Sequence, residues 1–336
     1  MAVISSKNRT CASASLLELY RSPEYILTTS LNCLIAVVSL LLSIRAIRKL
    51  CSQSIIQYSP RILLIATILF SVCHQIAYFR FKIEHLYNML FKLDDPCNLQ
   101  HTSYDCRFVT IAMTTGNCGL AFIQFAMSID RMLALLFPVQ HSKLKSLPGV
   151  VLSLIVFTIS FSTWFVLTIG DSLTGWVNHC GFLPTESVDN FDMLLEFILI
   201  FTLSNFILDI FVLRCNIRRD KRWRHSYDVT TRYESRVSVK CTQAIFLISI
   251  CQFVSNALYA GLMWLLMLLG QNMSSATYSL SLSIIYASPY TCTILPLIIC
   301  KVLNYIKEQR KHGITSLLSQ KQSMEEHMSR IRTAWK

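Results

Sequence analysis

The sequence predicts an all-α membrane protein in which seven transmembrane helices form one bundle. The 336 residues are 53% hydrophobic and 15% charged, with a mean hydropathy of +0.47, and this composition is too apolar for a soluble domain of that length. Seven apolar runs reach the roughly 20 residues that cross a bilayer. Short connections join the runs into one bundle, because only helices or closed barrels satisfy backbone polar groups in lipid. The runs are 25–44, 62–79, 108–129, 149–169, 193–213, 243–269 and 277–300.

The distribution of basic residues predicts the orientation in the membrane. Most of the 31 Lys and Arg residues follow the first, third, fifth and seventh runs, and cytoplasmic segments are enriched in these residues. We therefore expect the amino terminus outside and the carboxyl terminus inside. Asn8 and Asn272 begin N-x-[ST] sequons on the predicted extracellular side, which makes both candidate glycosylation sites. The net charge of +12 then indicates membrane lipid and cytoplasmic partners, not nucleic acid.

This topology divides the chain into three parts. Residues 1–24 form a short extracellular arm, residues 25–300 form the helix bundle and residues 301–336 form a cytoplasmic tail. The arm has no apolar stretch like that of a cleavable signal peptide, so the first run is expected to act as its own insertion signal.

The second run contains His74, a polar residue in an apolar helix. One interpretation is a hydrogen bond to a neighbouring helix, which is the common role of such residues. The other interpretation is a contact with a ligand.

The third run has distinctive residues at both ends. Cys106 precedes it, and Asp130 and Arg131 follow it, with Pro138 seven residues after the arginine. No charged residue lies between 108 and 129.

Four of the 13 cysteines lie on the predicted oxidising side of the membrane. Disulfides can form only among these four, and position alone leaves three pairings open. The four are Cys11, Cys97, Cys106 and Cys180.

The seventh run contains Pro289 and Pro296, which predict a kinked helix. A basic segment with Leu303 and Ile306 on one face follows it. We expect this segment to form a short amphipathic helix that ends at Gly313. For the remaining tail, a second interfacial helix and a flexible segment both stay open.

The third run, with its cysteine, its Asp-Arg pair and its proline, resembles the third helix of rhodopsin-like G-protein-coupled receptors, although Met132 replaces their usual aromatic residue. The segments 74–97 and 226–253 resemble nematode serpentine chemoreceptors of class alpha (Sra) or the related class alpha-beta (Srab). This resemblance implies a receptor in the plasma membrane of sensory-neuron cilia that binds a small molecule from outside and activates a heterotrimeric G protein. It further implies a Cys106–Cys180 disulfide, and coupling to the G protein through Asp130 and Arg131. Cys11–Cys97 is the residual pairing.

The resemblance to rhodopsin-like receptors is incomplete. The second run has no Asp for a sodium site, and the sixth has no Cys-Trp-x-Pro motif. The Asn-Pro-x-x-Tyr motif of the seventh helix is replaced by Leu-Pro-Leu-Ile-Ile at 295–299. Only the arginine end of the third run and the cysteine pair carry over by residue.

Two absences restrict the ligand. Met113 occupies the position where amine receptors place an Asp, and 277–300 contains no Lys for a retinal Schiff base. The polar residues at pocket depth are few and neutral, so we predict a neutral, mostly apolar ligand and no cofactor or metal. The candidate ligand-binding residues are His74, Met113, Asn117, Asn256, Tyr259 and Tyr286.

Other functions fit the sequence less well. A seven-helix transporter is expected to contain repeats and Gly-rich broken helices, whereas the chain has only 9 Gly. A channel would need rings of charge or a carbonyl filter, which one chain supplies only by forming an oligomer. An enzyme would need a constellation of nucleophiles, paired carboxylates or metal ligands, which the sequence lacks. A transporter or an oligomeric channel stays as the alternative.

Overall fold

The computed structural model describes residue 11 and residues 13–334, apart from 53–55, 95, 97–98, 172, 174, 178–179, 181–186, 224–228 and 271–272. The described residues form ten helices and one two-stranded sheet. In chain order these are α1 (Ala14–Arg21), α2 (Pro23–Ser52), α3 (Tyr58–Phe91), β1 (His101–Thr102), α4 (Ser103–Leu136), α5 (Pro138–Leu144), α6 (Leu147–Leu167), β2 (Trp176–Val177), α7 (Val188–Trp223), α8 (Val229–Gly270), α9 (Ser275–Ile285) and α10 (Ser288–Ala334).

Seven segments are long and apolar enough to cross a membrane, which confirms the predicted seven-helix bundle. The helices α2, α3, α4, α6, α7 and α8 supply one span each, and α9 with α10 supplies the seventh. Large apolar side chains such as Leu154, Ile159 and Val166 of α6 are exposed. An apolar outer surface of this kind is suited to contact with lipid, since a soluble protein rarely exposes contiguous apolar area.

Several helices continue past the apolar runs. The second run ends at residue 79, but α3 continues to Phe91 and includes Arg80, Lys82 and Glu84. Hydropathy marks only the part of a helix inside hydrocarbon, and these charged residues are themselves good helix formers. The extension brings residues 80–91 into the bundle instead of a loop.

The third span, α4, is the central helix and packs against α3, α6, α7 and α8. Two glycines allow its close approach to α3. A Cβ atom added at Gly116 would lie 2.6 Å from Cβ of His74, and one added at Gly119 would lie 2.2 Å from the ring of Phe70. Small residues at these positions therefore set the distance between the two helices.

The seventh span is broken where the sequence predicts a kink. Helix α9 ends at Ile285, α10 begins at Ser288, and Pro289 lies in the first turn of α10. Pro has no backbone N–H, and the first turn of a helix does not need one, so Pro289 is compatible with the start of a new helix. The break turns Tyr286 out of regular helical geometry, whereas Pro296 lies inside α10.

The predicted helix end at Gly313 is wrong. Helix α10 continues through Gly313 to Ala334, so no separate amphipathic helix follows the seventh span in the described residues. A glycine inside a helix costs about 1 kcal/mol relative to Ala, which the flanking helix formers offset. The predicted apolar face is nevertheless present, because Leu303 and Ile306 are buried. At this point Lys49 of α2 donates to the backbone carbonyl of Cys300, with 2.9 Å between Nζ and O.

Helix α1, which belongs to the predicted amino-terminal arm, packs against one end of the bundle. Ser13 caps α1 by accepting a hydrogen bond from the backbone N–H of Leu16. Leu19 and Tyr20 of α1 are buried and pack in a cluster with Tyr25, and this burial raises the pKa of the Tyr20 hydroxyl. The arm is therefore held by packing against the first span.

Candidate functional site

A disulfide marks one end of the bundle, called here the disulfide end. Cys106 lies in the first turns of α4 and is bonded to Cys180. Beside this bond β1 pairs with β2 in antiparallel register, with His101 opposite Val177. The pairing implied by the resemblance is therefore present in the structure. Cys11 is also disulfide-bonded, and its predicted partner Cys97 lies outside the described residues, as do the sequons at Asn8 and Asn272.

A cavity of about 410 Å³ opens beneath the disulfide. This volume is within the range of about 300–1,000 Å³ that small-molecule sites occupy. Residues of α2, α3, α4, α7, α8, α9 and α10 line the cavity, together with Cys180. The disulfide thus fixes one wall of the cavity.

Five of the six predicted ligand-binding residues line this cavity. Asn117 and Tyr286 are joined directly, because Nδ2 of Asn117 donates to Oη of Tyr286 across 3.1 Å. The rings of Tyr259 and Tyr286 meet edge to face with centroids 6.0 Å apart. These contacts join the third, sixth and seventh spans at one level. The five lining residues are Met113, Asn117, Asn256, Tyr259 and Tyr286.

His74 does not line the cavity, contrary to the prediction of a ligand contact. Its side chain is fully buried and its Nε2 lies 2.8 Å from Oη of Tyr286. The interpretation of His74 as a hydrogen-bond partner between helices therefore fits the structure. His74 thus contacts the Tyr286 hydroxyl without lining the cavity itself.

The prediction that only neutral polar residues reach the cavity is wrong. Lys82 of α3 and Asp192 of α7 both line it. Lys82 is only 5% exposed, and its ammonium lies over the rings of Tyr78 and Phe81, 5.5 and 5.0 Å from their centroids. The sequence did not indicate Lys82 as a cavity residue, because the second apolar run ends at residue 79. The available signal was the spacing of 78, 81, 82 and 85, which puts polar and aromatic residues on one helical face.

The opposite end of α4, called here the arginine end, contains a buried ionic network. Arg131 is 1% exposed and Asp130 is fully buried, and Nη2 of Arg131 lies 2.5 Å from Oδ2 of Asp130. Ser59 donates to Oδ1 of the same carboxylate at 2.5 Å, and Nε2 of His141 lies 2.9 Å from Oδ1. Arg131 also donates to Oε1 of Gln57 at 3.0 Å. The Asp130 carboxylate thus has further partners on α3 and α5, and the Arg131 guanidinium has one in the residue that precedes α3.

The network of Gln57, Ser59, Asp130, Arg131 and His141 is called here the latch. A buried ion pair contributes little net stability, but removal of one partner leaves an uncompensated charge at a cost of about 3–5 kcal/mol. Arg131 can therefore leave Asp130 only if another group replaces the carboxylate. The partners of Asp130 that are not covalently adjacent, Ser59 and His141, hold the carboxylate toward the arginine.

The family model described as "Serpentine type 7TM GPCR chemoreceptor Sra" matches residues 6–335. The sequence is 61% identical over 336 residues to Serpentine receptor class alpha-13 of Caenorhabditis elegans, with 100% of both chains covered. It is 54% identical over 335 residues to the protein of that name in Caenorhabditis briggsae, again with 100% coverage of both chains. Its identity to Serpentine receptor class alpha-11 of Caenorhabditis elegans is 35%, over 99% of both chains. The chain belongs to the Sra family of serpentine chemoreceptors.

Membership of the Sra family settles the choice between class alpha and class alpha-beta. It places the chain among multi-pass membrane receptors and not in an enzyme family. The cavity and the latch described above are thus features of an Sra receptor.

Between its two ends the Sra bundle holds a polar cluster. Oγ of Ser128 in α4 lies 2.9 Å from Oδ1 of Asn205 and also within hydrogen-bond distance of the carboxylate of Asp209, and its one O–H donates to either. Asn205 thus joins α4 to α7. The side chain of Asp209 is 4% exposed and faces the bundle. Gln252 of α8 is buried and borders the cavity, so buried polar residues lie both at the cavity and beside the latch.

Proposed function

We propose that this Sra protein is a G-protein-coupled chemosensory receptor that binds a small molecule at the disulfide end and activates a heterotrimeric G protein at the arginine end. One observation carries the proposal: a single helix, α4, supplies both a cavity wall and the buried Asp130–Arg131 latch. Ligand binding at the cavity end of α4 can therefore be transmitted to Arg131, a charged side chain at the other end of the same helix.

The proposed orientation has the disulfide end outside the cell. Disulfides form on the oxidising side of a membrane, and the excess of Lys and Arg in the segments near the arginine end favours the cytoplasm for that end. The cavity then faces the external medium. As the resemblance to nematode chemoreceptors implies, the proposed location is the plasma membrane of sensory-neuron cilia.

The proposed mechanism is a shift between two conformations of the bundle. A ligand in the cavity contacts Asn256 and Tyr259 of α8 and Tyr286 beside the break of the seventh span. If the ligand fits better when these helices are drawn together, it favours that conformation by its differential affinity. In the favoured conformation Arg131 leaves Asp130 and contacts the G protein.

The test needs no identified ligand, because it opens the latch by mutation. His141→Ala removes one partner of Asp130 and leaves the ion pair in place. The loss of a hydrogen bond of about 1 kcal/mol shifts a two-state equilibrium roughly fivefold. We expect ligand-independent dissociation of Gα from Gβγ to rise by about that factor in a heterologous cell, measured by resonance energy transfer at matched surface expression.

Three controls make the result specific. Lys143→Ala changes an exposed residue of the same helix α5 and should leave basal signalling at the wild-type level. Arg131→Ala added to His141→Ala should abolish the rise, and so should replacement of the labelled Gα by a variant that cannot exchange its nucleotide. A rise that persists with that Gα variant, or with Arg131 replaced, would contradict the proposal.

A further inference from the structure

Lys82 is a buried cation in the wall of the cavity. It lies on α3, and its Nζ is 3.2 Å from Oγ of Ser283 on α9. Between pairs of described residues, a basic side chain lies within 4.0 Å of a carboxylate at His101–Glu84, Arg131–Asp130 and His141–Asp130. Among the described residues, no carboxylate therefore lies within 4.0 Å of the Lys82 ammonium.

The observed partners of Lys82 do not satisfy all the hydrogen-bond donors of its ammonium group. An ammonium group has three N–H donors, and Ser283 accepts one of them. The faces of Tyr78 and Phe81 attract the cation, but they do not replace the hydrogen bonds that water would supply. A buried charge without a counter-ion is costly, so the site favours an anion that enters the cavity.

The rest of the cavity is suited to an apolar body. Leu120, Ala121, Leu195, Ile198 and Met263 line it, and apolar walls with a few placed polar groups are usual in small-molecule sites. The cationic group is thus at one side of a mostly apolar chamber.

Asp192 is the other charged residue that lines the cavity. Its side chain is exposed, so water and salt weaken its field, and it forms no ion pair with Lys82 within 4.0 Å. The buried cation therefore dominates the choice of ligand charge.

We propose that Lys82 is the anion-binding residue of the cavity and that the ligands of this receptor are small carboxylic acids with an apolar body. The proposal rests on the proposed function in taking the cavity as the ligand site. The carboxylate accepts hydrogen bonds from Lys82, while Ser283 and the two rings hold the lysine in place.

The test measures binding without any G protein, so its failure is distinct from failure of the proposed function. The full-length protein is placed in nanodiscs of neutral phosphatidylcholine, and its Tm is followed during titration with 3-phenylpropionate and octanoate. The matched neutral probes are 3-phenylpropan-1-ol and octan-1-ol. Carboxylic acids of this kind are ionised at pH 7. We expect the acids to raise the Tm at concentrations at least tenfold lower than the alcohols, because a hydrogen bond to a charged group is worth that factor or more.

Two variants test whether Lys82 causes the preference for carboxylic acids over alcohols. Lys82→Met keeps an unbranched stem and removes the charge, so it should abolish the preference for acids. Lys92→Met is the matched control, because Lys92 is exposed at the end of the same helix, and it should keep the preference. Equal potency of acids and alcohols on the wild-type protein would overturn the proposal, even if Lys82→Met failed to fold. A preference retained in Lys82→Met would overturn it as well.

Anionic lipid is the other source of a negative group. Nanodiscs that contain phosphatidylglycerol provide this comparison. If the acids keep their tenfold advantage there, the cavity selects a soluble carboxylate. A loss of the acid effect in these nanodiscs would show that lipid occupies Lys82, and that result would overturn the proposal.

Discussion

The Tyr286 hydroxyl connects three spans of the bundle. It accepts a hydrogen bond from Asn117 of α4 at 3.1 Å and lies 2.8 Å from Nε2 of His74 of α3. Tyr286 itself follows the last residue of α9, at the break of the seventh span. A single hydroxyl therefore fixes the position of the break against the second and third spans.

Tyr286→Phe removes this hydroxyl and keeps the ring. The change leaves Nε2 of the buried His74 and the Nδ2 donor of Asn117 without their partner, at a cost of about 1–3 kcal/mol. We expect a lower Tm for the purified receptor. Tyr290→Phe is the matched control, because Tyr290 is 36% exposed and should tolerate the change. Equal Tm values for the two variants would contradict the role given to Tyr286.

The sequence predicts the neutral residues of the cavity but not its charge. Asn117, Asn256 and Tyr259 could be found because they are polar residues inside apolar runs, where a polar group needs a partner or a ligand. Lys82 could not be found in the same way, because it lies past the end of its run and resembles an ordinary interfacial lysine. Only the extension of α3 to Phe91, which depends on packing against its neighbours, brings it to the cavity.

Contact between α3 and α4 depends on two glycines with different neighbours. The three atoms nearest to a Cβ added at Gly119 all belong to the Phe70 ring, whereas a Cβ added at Gly116 would come within 3.0 Å of the backbone of His74. A side chain can be shortened by mutation, but a backbone cannot. The two positions therefore differ in whether a second change relieves the clash.

Gly119→Ala and Gly116→Ala should each lower the Tm, since overpacking costs about 1–3 kcal/mol. We expect Phe70→Leu to restore part of the loss in Gly119→Ala and none in Gly116→Ala. Gly261→Ala of α8 is the control, because nothing lies within 4 Å of its added Cβ and Ala is the better helix former. Equal effects at all three glycines would contradict this account.

At the scale of helices, the sequence predicts the number and order of the spans but not their lengths. The apolar runs identify all seven segments because lipid exposure imposes a strong signal on composition. Helix ends depend on weaker local terms, and Gly313 illustrates this, since a single glycine does not end α10. The break before Pro289 is predictable because a missing backbone donor has no substitute within a helix.

Across the whole molecule, α4 is the element that the cavity and the latch share. Asn117 lies at its cavity side, Ser128 lies in the polar cluster with α7, and Arg131 lies in the latch less than one turn farther along. A movement of α7 that disturbs Ser128 would therefore act close to the latch. Under the proposed function, this contact is the place where a change at the cavity would reach Arg131.

The disulfide lies at the opposite end of this arrangement from the latch. Cys106 and Cys180 are separated by 74 residues in sequence, and closure of a loop of that size is worth roughly 4 kcal/mol in the chain-entropy model. Membrane insertion already restricts the intervening spans, so the effect in the receptor should be smaller. The bond also fixes Cys180 in the cavity wall.

Serine at either Cys106 or Cys180 should lower delivery of the receptor to the cell surface, measured by antibody binding to a tag on intact cells. Because the first change already breaks the bond, serine at both positions should lower delivery no further than the worse of the two single changes. Cys51→Ser is the control, since Cys51 is a free and exposed cysteine of α2, and its surface delivery should equal that of the wild type. If the losses at Cys106 and Cys180 add in the double variant, the two cysteines act separately, and the disulfide is not what secures the cavity wall.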